Sequence, residues 1–479
     1  MFTLNDILQG NVGKVSLHSA TIPNPELIFH SAHHDSRQIQ PGDLFVAIKG
    51  TNVDGHSFIP DVARSGASGV LCTELASDVP PNFLQIVVPN VVEALHATAR
   101  VRTQRQQNTT LIGITGSNGK TSTKEAVAAV LNCKAPTLKT QASYNNEIGY
   151  PLTLLRLEPQ HRYAVLEMGA QWVGELAWLC NTIARPDWSI ITSVGAAHLE
   201  FFGSQERVLI AKTELVQALT ADGLAILNYD DLNVRGMNEK TRARVLFYGL
   251  GDGAEVRGSD IGGDTLFGRS FTLHYHEQEK RVQLHLPGEH GVTIALAAAA
   301  AGCAAEMPLD EITMALEALA PAKGRCEIKP GPNGSVLIDD TYNANRQSIL
   351  AITRAMRDTK QAQQGKRWAV LGDIFELGPF AREEHRNSGR ALAGTVDYLV
   401  AIGDAARFYV EGAIEAGMPE EHTYYYCADV NNTAELEAAK RAAADLLTHT
   451  IQSGDLVVLK GSRGMRMETM IAMLMNVSR

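Results

Sequence analysis

A glycine-rich loop between an apolar stretch and a helical pattern is the feature that most limits how this chain can fold. The stretch "TLIGIT" (110–115) has the length and character of a buried strand, and "STKEAVAAVLN" (122–132) repeats apolar residues at helical spacing. Between them lies "GSNGKT" (116–121). A loop in this position is typical of phosphate-binding sites, because free amides at the helix N-terminus point toward an anion.

The spelling of the loop differs from the common pattern G-x-x-x-x-G-K-[ST]. Counted back from the Gly-Lys-Thr triplet, the first glycine should stand at Ile114, but the glycines are Gly113 and Gly116. A tight strand–helix turn would explain the glycines but not Gly-Lys-Thr in that order. We therefore interpret the loop as a nucleotide site, in which Lys120 neutralises phosphate charge and Thr121 offers a hydroxyl to Mg²⁺.

Composition narrows the class of protein. A length of 479 residues favours about three domains. Hydrophobic residues make up 45% of the chain and charged residues 20%, which is typical of a globular protein. The net charge is −10 and no Lys/Arg cluster stands out, so nucleic-acid binding is disfavoured because it needs a basic surface. A small anionic substrate is compatible with this charge, since a few local cations suffice to bind it.

The chain shows no targeting or membrane segment. The N-terminus "MFTLNDILQGN" lacks the basic start of a signal peptide, and the longest apolar run, 294–305, is too short to span a bilayer. The six cysteines are scattered without a C-x-x-C pair, which is typical of reduced thiols. We predict a cytoplasmic protein with no membrane partner.

Strand and helix patterns alternate along most of the chain, which predicts an α/β fold with parallel sheets. We expect three domains: a small α/β N-terminal domain (1–108), a central domain with a parallel sheet like that of phosphate-loop ATPases (109–321), and a C-terminal domain with a Rossmann-like, doubly wound sheet (322–479). Within the central domain, 254–287 alternates like antiparallel strands and includes a predicted hairpin. Ligands in such sheets bind at the carboxyl ends of strands.

Three further residues follow predicted strands of the central domain. Glu167 ends "RYAVLE", where an acid beside a phosphate loop can hold the Mg²⁺ of a nucleotide, although it could also be a half-exposed strand-end acid. His198 follows another strand, and Lys212 lies in the helical "RVLIAKTELVQAL". Taken alone, a histidine placed like His198 is more often a loop residue than a ligand, and a lysine placed like Lys212 is more often solvated on a helix.

Several segments, in this order, resemble the Mur ligase family of peptidoglycan synthesis. The phosphate loop of that family reads TG[TS]NGKT[ST], and "SYNNEIGYPLTLL", "LEMGA" and "GAAHLEFFGS…AK" follow it here. The C-terminal "IDDTYNANRQS", "AVLGDIFELG" and "LKGSRGMRMETM" resemble the member that joins D-alanyl-D-alanine to UDP-N-acetylmuramoyl tripeptide, and no DNPR-type motif of the preceding ligase is found. The resemblance implies an ATP-dependent carbon–nitrogen ligase that acts on these two small molecules as a monomer.

The resemblance also implies roles for individual residues. Thr121 and Glu167 would hold one Mg²⁺ and His198 a second, and Lys212 matches a lysine that is N-carboxylated in the family, which would supply anionic oxygen ligands. The residues expected to act in catalysis are Lys120, Glu167, His198, Lys212 and Asn146. The residues expected to bind ATP are Thr115, Gly116, Ser117, Asn118, Gly119, Lys120, Thr121, Ser122, Asn145, Arg325 and Asp340.

Both outer domains are expected to supply residues that bind the substrates. In the N-terminal domain Ser36 and Arg37 would contact the uridine diphosphate. In the C-terminal domain the residues expected to close over ATP and the dipeptide are Arg325, Asp340, Tyr342, Asn343 and Asn345, with Lys460, Ser462 and Arg463 as weaker candidates. Without the resemblance, Asp340 could be a strand-end acid and Arg325 an exposed turn residue.

Three positions depart from the family pattern. Gly291 and Ile294 replace two asparagines, of which the first lies near the adenine in relatives, and a lost hydrogen bond would weaken binding by about 0.5–1.5 kcal/mol. Arg346 replaces a proline, where it would alter the start of a helix or contact a phosphate or carboxylate. Two alternatives therefore stay open: another ligase of the same family with a different acceptor, and a non-catalytic ATP-binding homologue.

Overall fold

The computed structural model describes residues 1–51, 53–195, 199–360 and 365–476, and they form an α/β protein with three main sheets. The strands of these sheets and of one small strand pair fall within residues 2–87, 110–284 and 327–460. Neighbouring strands are mostly parallel, which confirms the predicted fold class. The domain boundaries drawn from the sequence stay a prediction.

The first sheet has five strands in the order β2-β7-β6-β5-β4, and only β2 is antiparallel to its neighbour. A separate antiparallel pair joins β1 to β3. The strands are β1 (Phe2–Thr3), β2 (Ser16–His18), β3 (Ile28–Phe29), β4 (Ala32–His33), β5 (Leu44–Val46), β6 (Gly69–Cys72) and β7 (Leu84–Val87). The helices are α1 (Leu4–Gly10), α2 (Ile59–Arg64) and α3 (Val91–Gln104).

The central sheet has nine strands in the order β16-β15-β14-β13-β12-β11-β8-β10-β9. The strands are β8 (Thr110–Thr115), β9 (Thr137–Lys139), β10 (Tyr163–Glu167), β11 (Trp188–Ile191), β12 (Leu224–Asn228), β13 (Arg244–Gly249), β14 (Val256–Asp264), β15 (Gly268–Tyr275) and β16 (Gln278–Leu284). The helices are α4 (Lys120–Lys134), α5 (Gly149–Leu154), α6 (Glu175–Thr182), α7 (Leu199–Phe202), α8 (Gln205–Gln217), α9 (Leu232–Arg235), α10 (Gly288–Ala304) and α11 (Leu309–Glu317).

The position of each strand in the central sheet explains its residue types and its pairing. The central strand β8 is apolar because helices cover both faces of the parallel sheet. At one edge β14, β15 and β16 pair antiparallel, which confirms the predicted hairpin. The longest apolar run of the sequence, 294–305, is rich in alanine and forms most of α10. Its small side chains allow α10 to pack closely on α4. Among the described residues, every helix is too short or too polar to cross a membrane.

The third sheet has six strands in the order β17-β18-β22-β19-β20-β21, all parallel except the edge strand β17. The strands are β17 (Glu327–Pro330), β18 (Val336–Asp339), β19 (Arg367–Gly372), β20 (Tyr398–Ile402), β21 (Thr423–Tyr426) and β22 (Leu456–Lys460). The helices are α12 (Arg346–Asp358), α13 (Ala381–Leu392), α14 (Arg407–Glu415), α15 (Thr433–Thr450) and α16 (Glu468–Asn476). Two apolar clusters, one on each face, support the predicted doubly wound arrangement.

One side chain of the central sheet is buried in an apolar cluster of the third sheet. Leu266, at the turn between β14 and β15, is fully buried in the cluster that contains Ile338, Ile349 and Ile352. The neighbouring Thr265 donates its hydroxyl to the carbonyl of Ala355 at 2.7 Å. The hairpin tip is therefore packed into the C-terminal domain.

Candidate active site

The glycine-rich loop joins the end of β8 to the start of α4, as the sequence predicts. Gly116 has φ +148° and Gly119 has φ +80°, conformations that side chains other than glycine rarely adopt. A Cβ on Gly116 would lie 2.0 Å from Oγ1 of Thr192, so the loop requires glycine there. Lys120 bends back and donates from Nζ to the carbonyl of Gly116 at 2.7 Å. The ammonium thus stays on the loop, where a bound phosphate would meet it.

The segment after β11 forms hydrogen bonds with the glycine-rich loop and holds it in place. Ser117 donates its amide to the carbonyl of Ser193 at 2.8 Å, and its hydroxyl bonds to the carbonyl of Gly195 at 3.0 Å. Thr192 donates from Oγ1 to the carbonyl of Asn118 at 2.6 Å. These bonds fix the loop before any ligand arrives. The predicted residue His198 follows this segment and lies outside the described residues.

Glu167 lies at the end of β10, beside β8, with only 2% of its surface exposed. Its Oε1 accepts a hydrogen bond from Nδ2 of Asn145 at 2.9 Å, whereas Oε2 has no hydrogen-bond partner within the described part of the chain. The nearest cation to Oε2 is Nζ of Lys124 at 3.8 Å. A buried carboxylate oxygen without a hydrogen bond is costly, and its chemistry suits a hard divalent cation.

Lys212 lies on α8 and is almost fully buried at 1% exposure. Among the residues that the structure describes, its Nζ has no hydrogen-bond partner, and it lies 5.9 Å from the ring centre of Phe202. Burial, reinforced by the charge of Lys120, lowers the pKa of Lys212 to about 7. Near neutral pH a large share of this amine is therefore uncharged and nucleophilic, as N-carboxylation requires.

The residues expected to hold Mg²⁺ offer one carboxylate, one hydroxyl and one modifiable lysine within the described chain. Thr121, at the start of α4, accepts from NH2 of Arg325 at 3.0 Å. No group of three His, Cys, Asp or Glu side chains could hold a metal among residues 1–51, 53–195, 199–360 and 365–476. The free oxygen of Glu167 fits a divalent cation, and an N-carboxylated Lys212 would add the missing anionic oxygens.

The C-terminal domain brings two arginines close to Tyr342. The guanidinium of Arg325 lies 4.2 Å from the ring centre, and that of Arg463 lies 5.6 Å from it. Because Arg325 also donates to Thr121, it links the ring to the first turn of α4. The structure thus joins the predicted residues Arg325 and Tyr342 to the phosphate loop.

Asp340 and Lys460 form a buried ion pair at the ends of β18 and β22. Nζ of Lys460 donates to Oδ2 of Asp340 at 2.6 Å and to the carbonyl of Asn343 at 2.8 Å. The pair holds the segment that carries Tyr342. Of the other weaker candidates, Ser462 accepts from the amide of Phe375 through Oγ at 2.8 Å.

Asn345 begins α12 and also contacts the phosphate loop. Its Oδ1 accepts from the amide of Ser348 at 2.9 Å, which caps the helix, and its Nδ2 donates to Oδ1 of Asn118. The departure at Arg346 leaves the cap intact. The guanidinium of Arg346 lies 3.8 Å from Glu384, so this residue contacts a carboxylate of α13.

The two adjacent asparagines after β9 differ in their contacts. Asn145 bonds to Glu167, whereas Oδ1 of Asn146 accepts from the amides of Ile148 and Gly149 at 3.3 and 3.0 Å. Asn146 therefore stabilises the start of α5 in this structure, and its catalytic role stays a prediction. Thr115 is buried, and its hydroxyl has no hydrogen-bond partner in the described ranges; Ser122 is half-buried in the first turn of α4.

The predicted uridine-diphosphate residues lie on a turn of the N-terminal domain. Asp35 caps this turn and forms a two-point ion pair with Arg37 at 2.8 and 2.7 Å. Hydrogen bonds from Arg37 lower the pKa of Asp35 to about 2. The side chain of Arg37 is 86% exposed and Ser36 is half-buried, so both are accessible to a ligand.

The two departures in α10 have a packing explanation. A Cβ on Gly291 would lie 2.8 Å from the carbonyl oxygen of Leu286, so a larger residue would force the backbone apart. Ile294 packs against the apolar cluster between α4 and α10. A polar asparagine would not suit that surface.

Sequence reasoning missed two residues of this region, Lys124 and Gln347. Lys124 is fully buried and lies 3.0 Å from Glu125 and 3.2 Å from the carbonyl of Ala142, in addition to its contact with Glu167. A lysine inside the apolar pattern of α4 was the available signal. Gln347 accepts from Nδ2 of Asn118 at 2.7 Å, and no local pattern marks it.

Comparisons with known proteins agree across the whole chain. Three family models match: "Mur ligase family, catalytic domain" at 28–104, "Mur ligase middle domain" at 114–302 and "Mur ligase, glutamate ligase domain" at 324–463. The UDP-N-acetylmuramoyl-tripeptide–D-alanyl-D-alanine ligase of Mycobacterium tuberculosis is 36% identical over 89% of this chain and 88% of its own length. That of Escherichia coli is 32% identical over 98% and 97%.

Solved structures give the same result. A crystal structure of MurF from Acinetobacter baumannii covers 99% of both chains with a TM-score of 0.84 and 31% identity. MurF ligase from Thermotoga maritima in complex with ADP has a TM-score of 0.77 and 26% identity, and the match covers 94% of this chain and 98% of that one. Similarity of this extent includes all three sheets.

Proposed function

This chain belongs to the Mur ligase family, and from that premise we propose that it joins D-alanyl-D-alanine to UDP-N-acetylmuramoyl tripeptide at the expense of ATP. The observation that carries the proposal is that a phosphate loop and the buried acid Glu167 lie at the carboxyl ends of neighbouring strands, where Arg325 of the C-terminal domain contacts the first turn after the loop. The enzyme would act in the cytoplasm, where its nucleotide substrates occur, as a monomer.

The reaction requires activation of a carboxylate. The terminal carboxylate of the tripeptide attacks the γ-phosphorus of ATP, the bond from that phosphorus to ADP breaks, and an acyl phosphate forms. The amine of the dipeptide then attacks the acyl carbon, and the tetrahedral intermediate expels phosphate and loses a proton from nitrogen. Both steps spread negative charge over oxygens, so fixed cations and amides account for much of the rate.

The phosphate loop would hold the β- and γ-phosphates. Amides at the start of α4 face the ligand, and Lys120 lies within hydrogen-bond reach of the loop carbonyls that it would leave when phosphate binds. Burial lowers the pKa of Lys120, and the charge of Glu167 offsets part of that effect. Arg325 would contact the transferring phosphoryl group from the other side, because it already bonds to Thr121.

Magnesium, when bound, would neutralise phosphate charge and orient the triphosphate. Thr121 and Glu167 would hold one ion, and His198 with N-carboxylated Lys212 would hold the second. Among the described residues, Oε2 of Glu167 and Nζ of Lys212 have no hydrogen-bond partner, and the lowered pKa of Lys212 leaves part of this amine uncharged near neutral pH; both observations support this assignment. A ¹³C resonance of the carbamate after incubation with labelled bicarbonate, present in the wild type and absent in Lys212→Ala, tests the modification without turnover.

The outer domains would deliver the two other substrates. Ser36 and Arg37 would bind the uridine diphosphate, and Tyr342, Asn343 and Asn345 would bind the dipeptide or close over ATP. The exposure of Arg37 and the position of Tyr342 beside two arginines support these roles. Bringing the substrates together would exclude water from the acyl phosphate.

Product mass spectrometry tests the proposal. The protein is incubated with ATP, D-alanyl-D-alanine and UDP-muramoyl tripeptides that carry either lysine or diaminopimelate in third place. We expect a product with the mass of one dipeptide added and one water lost, and one ADP and one phosphate per product. Strong ligation of a single amino acid, with none of the dipeptide, would reject this assignment within the family. Tight ATP binding with no product under any acceptor would indicate a non-catalytic homologue.

A further inference from the structure

Helix α12 is held at both ends by residues of the central domain. At its N-terminus the side chain of Asn118 uses both of its polar atoms: Oδ1 accepts from Asn345, and Nδ2 donates to Oε1 of Gln347 at 2.7 Å. At its C-terminus the hairpin tip between β14 and β15 contacts the last turn. A helix of 13 residues is about 20 Å long, so the two attachments are well separated.

The N-terminal attachment rests on a rigid part of the phosphate loop. The carbonyl of Asn118 accepts from Thr192, and its amide donates to Oγ of Ser193 at 3.3 Å. Gln347 also lies directly over Gly195, since a Cβ there would be 2.7 Å from Oε1 of Gln347. The position of Asn118 is therefore set by the central domain, and α12 adapts to it.

The C-terminal attachment is buried and made of several different contacts. Asp264 accepts from Oγ1 of Thr359 at 2.7 Å and from the amide of Lys360 at 2.9 Å. Leu266 is enclosed by side chains of the C-terminal domain. In contrast, the side chain of Gln347 is exposed, and water can replace its bond to Asn118.

We propose that Asn118, Asn345 and Gln347 form an amide latch, defined by these three side chains, that fixes the C-terminal domain on the phosphate loop while the hairpin tip acts as its pivot. Gln347 is the positioning residue of the latch. When the latch is closed, Arg325 contacts both Thr121 and the ring of Tyr342; when it opens, α12 turns about the buried tip, and Arg325 and Tyr342 withdraw from the loop. The role of the latch in catalysis rests on the proposed function, but its closure does not.

Two native cysteines allow the latch to be measured without substrates. Cys133 on α4 and Cys427 after β21 are exposed, whereas three of the other cysteines are buried and Cys326 is half-buried. With Cys326 replaced by serine in every variant, spin labels on Cys133 and Cys427 report the distance between the domains by pulsed EPR. Gln347→Leu removes the acceptor, Gln347→Glu keeps it, and Arg354→Ala changes an exposed residue of the same helix as a control.

We expect Gln347→Leu to reduce the ratio of closed to open molecules about three- to tenfold, as the loss of one hydrogen bond would. Gln347→Glu and Arg354→Ala should match the wild type. An unchanged distance distribution in Gln347→Leu, or equal opening in Gln347→Glu, would overturn the latch. Gln347→Ala replaces the leucine variant if thermal unfolding shows that the latter is misfolded.

A kinetic measurement separates positioning from folding. Gln347→Leu should lower kcat/KM for the dipeptide about three- to tenfold, through a lower kcat, a higher KM or both, with KM for the UDP-sugar peptide unchanged. Unchanged values for both would also contradict the latch. If the wild type ligates no dipeptide but the labelled distance still responds to Gln347→Leu, the proposed function fails and the latch stands.

Discussion

The two outer domains reach the catalytic region in different ways. The C-terminal domain touches the phosphate loop itself, through Arg325 on Thr121 and through Asn345 and Gln347 on Asn118. The N-terminal domain instead contacts the segment that carries Asn145, as when Tyr144 donates its hydroxyl to Oε1 of Gln38 at 3.3 Å.

This difference corresponds to two separate requirements of the reaction, stabilisation of charge and placement of the acceptor substrate. A domain that touches the loop affects charge on the transferring phosphoryl group, whereas a domain that touches the neighbouring segment affects where the acceptor substrate lies. We therefore expect substitutions in the C-terminal domain to lower kcat and those in the N-terminal domain to raise KM for the UDP-sugar peptide.

Lys212→Ala should have the largest effect, because it removes the amine on which the second metal site would depend. We expect kcat/KM to fall by at least about a hundredfold whichever substrate is varied. Added bicarbonate should not restore activity, since no amine is left to carboxylate. Lys240→Ala, an exposed lysine of the same domain, is the control. Turnover close to that of wild type would show that Lys212 is not part of the site.

Lys124→Met should mainly destabilise the protein. It leaves the buried carboxylate of Glu167 without its nearest cation, and loss of one partner of a buried pair costs about 3–5 kcal/mol. Urea unfolding monitored by circular dichroism measures the change. Lys124→Arg keeps the charge and should recover part of the loss; a variant as stable as wild type would show that the contact carries little energy.

Arg325→Ala tests the C-terminal half of the comparison. We expect kcat to fall about ten- to hundredfold, because one cation facing the phosphoryl group is lost, while KM for the UDP-sugar peptide stays the same. Steady-state kinetics with each substrate varied in turn gives both values. A change confined to KM for the UDP-sugar peptide would break the proposed division between the outer domains.

Arg37→Ala tests the N-terminal half and should have the smallest effect. The loss of one charged hydrogen bond should raise KM for the UDP-sugar peptide about tenfold and leave kcat unchanged. Arg64→Ala, an exposed arginine of the same domain, is a matched control. A fall in kcat with normal KM would place Arg37 in the chemistry instead of in binding.

The sequence predicted the parts of the site that local pattern determines. Gly116, Gly119 and Lys120 adopt the expected loop because their order between a strand and a helix leaves few alternatives, and Glu167 reaches the same edge because β10 pairs with β8. The antiparallel pairing of β15 with β16 follows from the alternating pattern of 254–287, whereas the order of the strands in the sheet was not predicted.

The contacts between domains could not be predicted in this way. Gln347 meets Asn118 across 229 residues of chain, and its identity carries no periodic signal. Lys124 could be identified as unusual, but not its partners, because they come from β10 and from the loop at Ala142. The first pairing depends on how two domains dock, and the second, which lies within the central domain, depends on how distant segments of that domain assemble.

Leu266 has a consequence for how the molecule can be divided. A fragment that starts at residue 322, the domain boundary predicted from the sequence, would lack Leu266, which is buried in its apolar cluster, and would keep a cavity there. Holes of that size typically cost about 2.7–5 kcal/mol. The stability of the last third of the chain thus depends on a hairpin that is synthesised much earlier. The protein therefore folds as one unit and not as three independent domains.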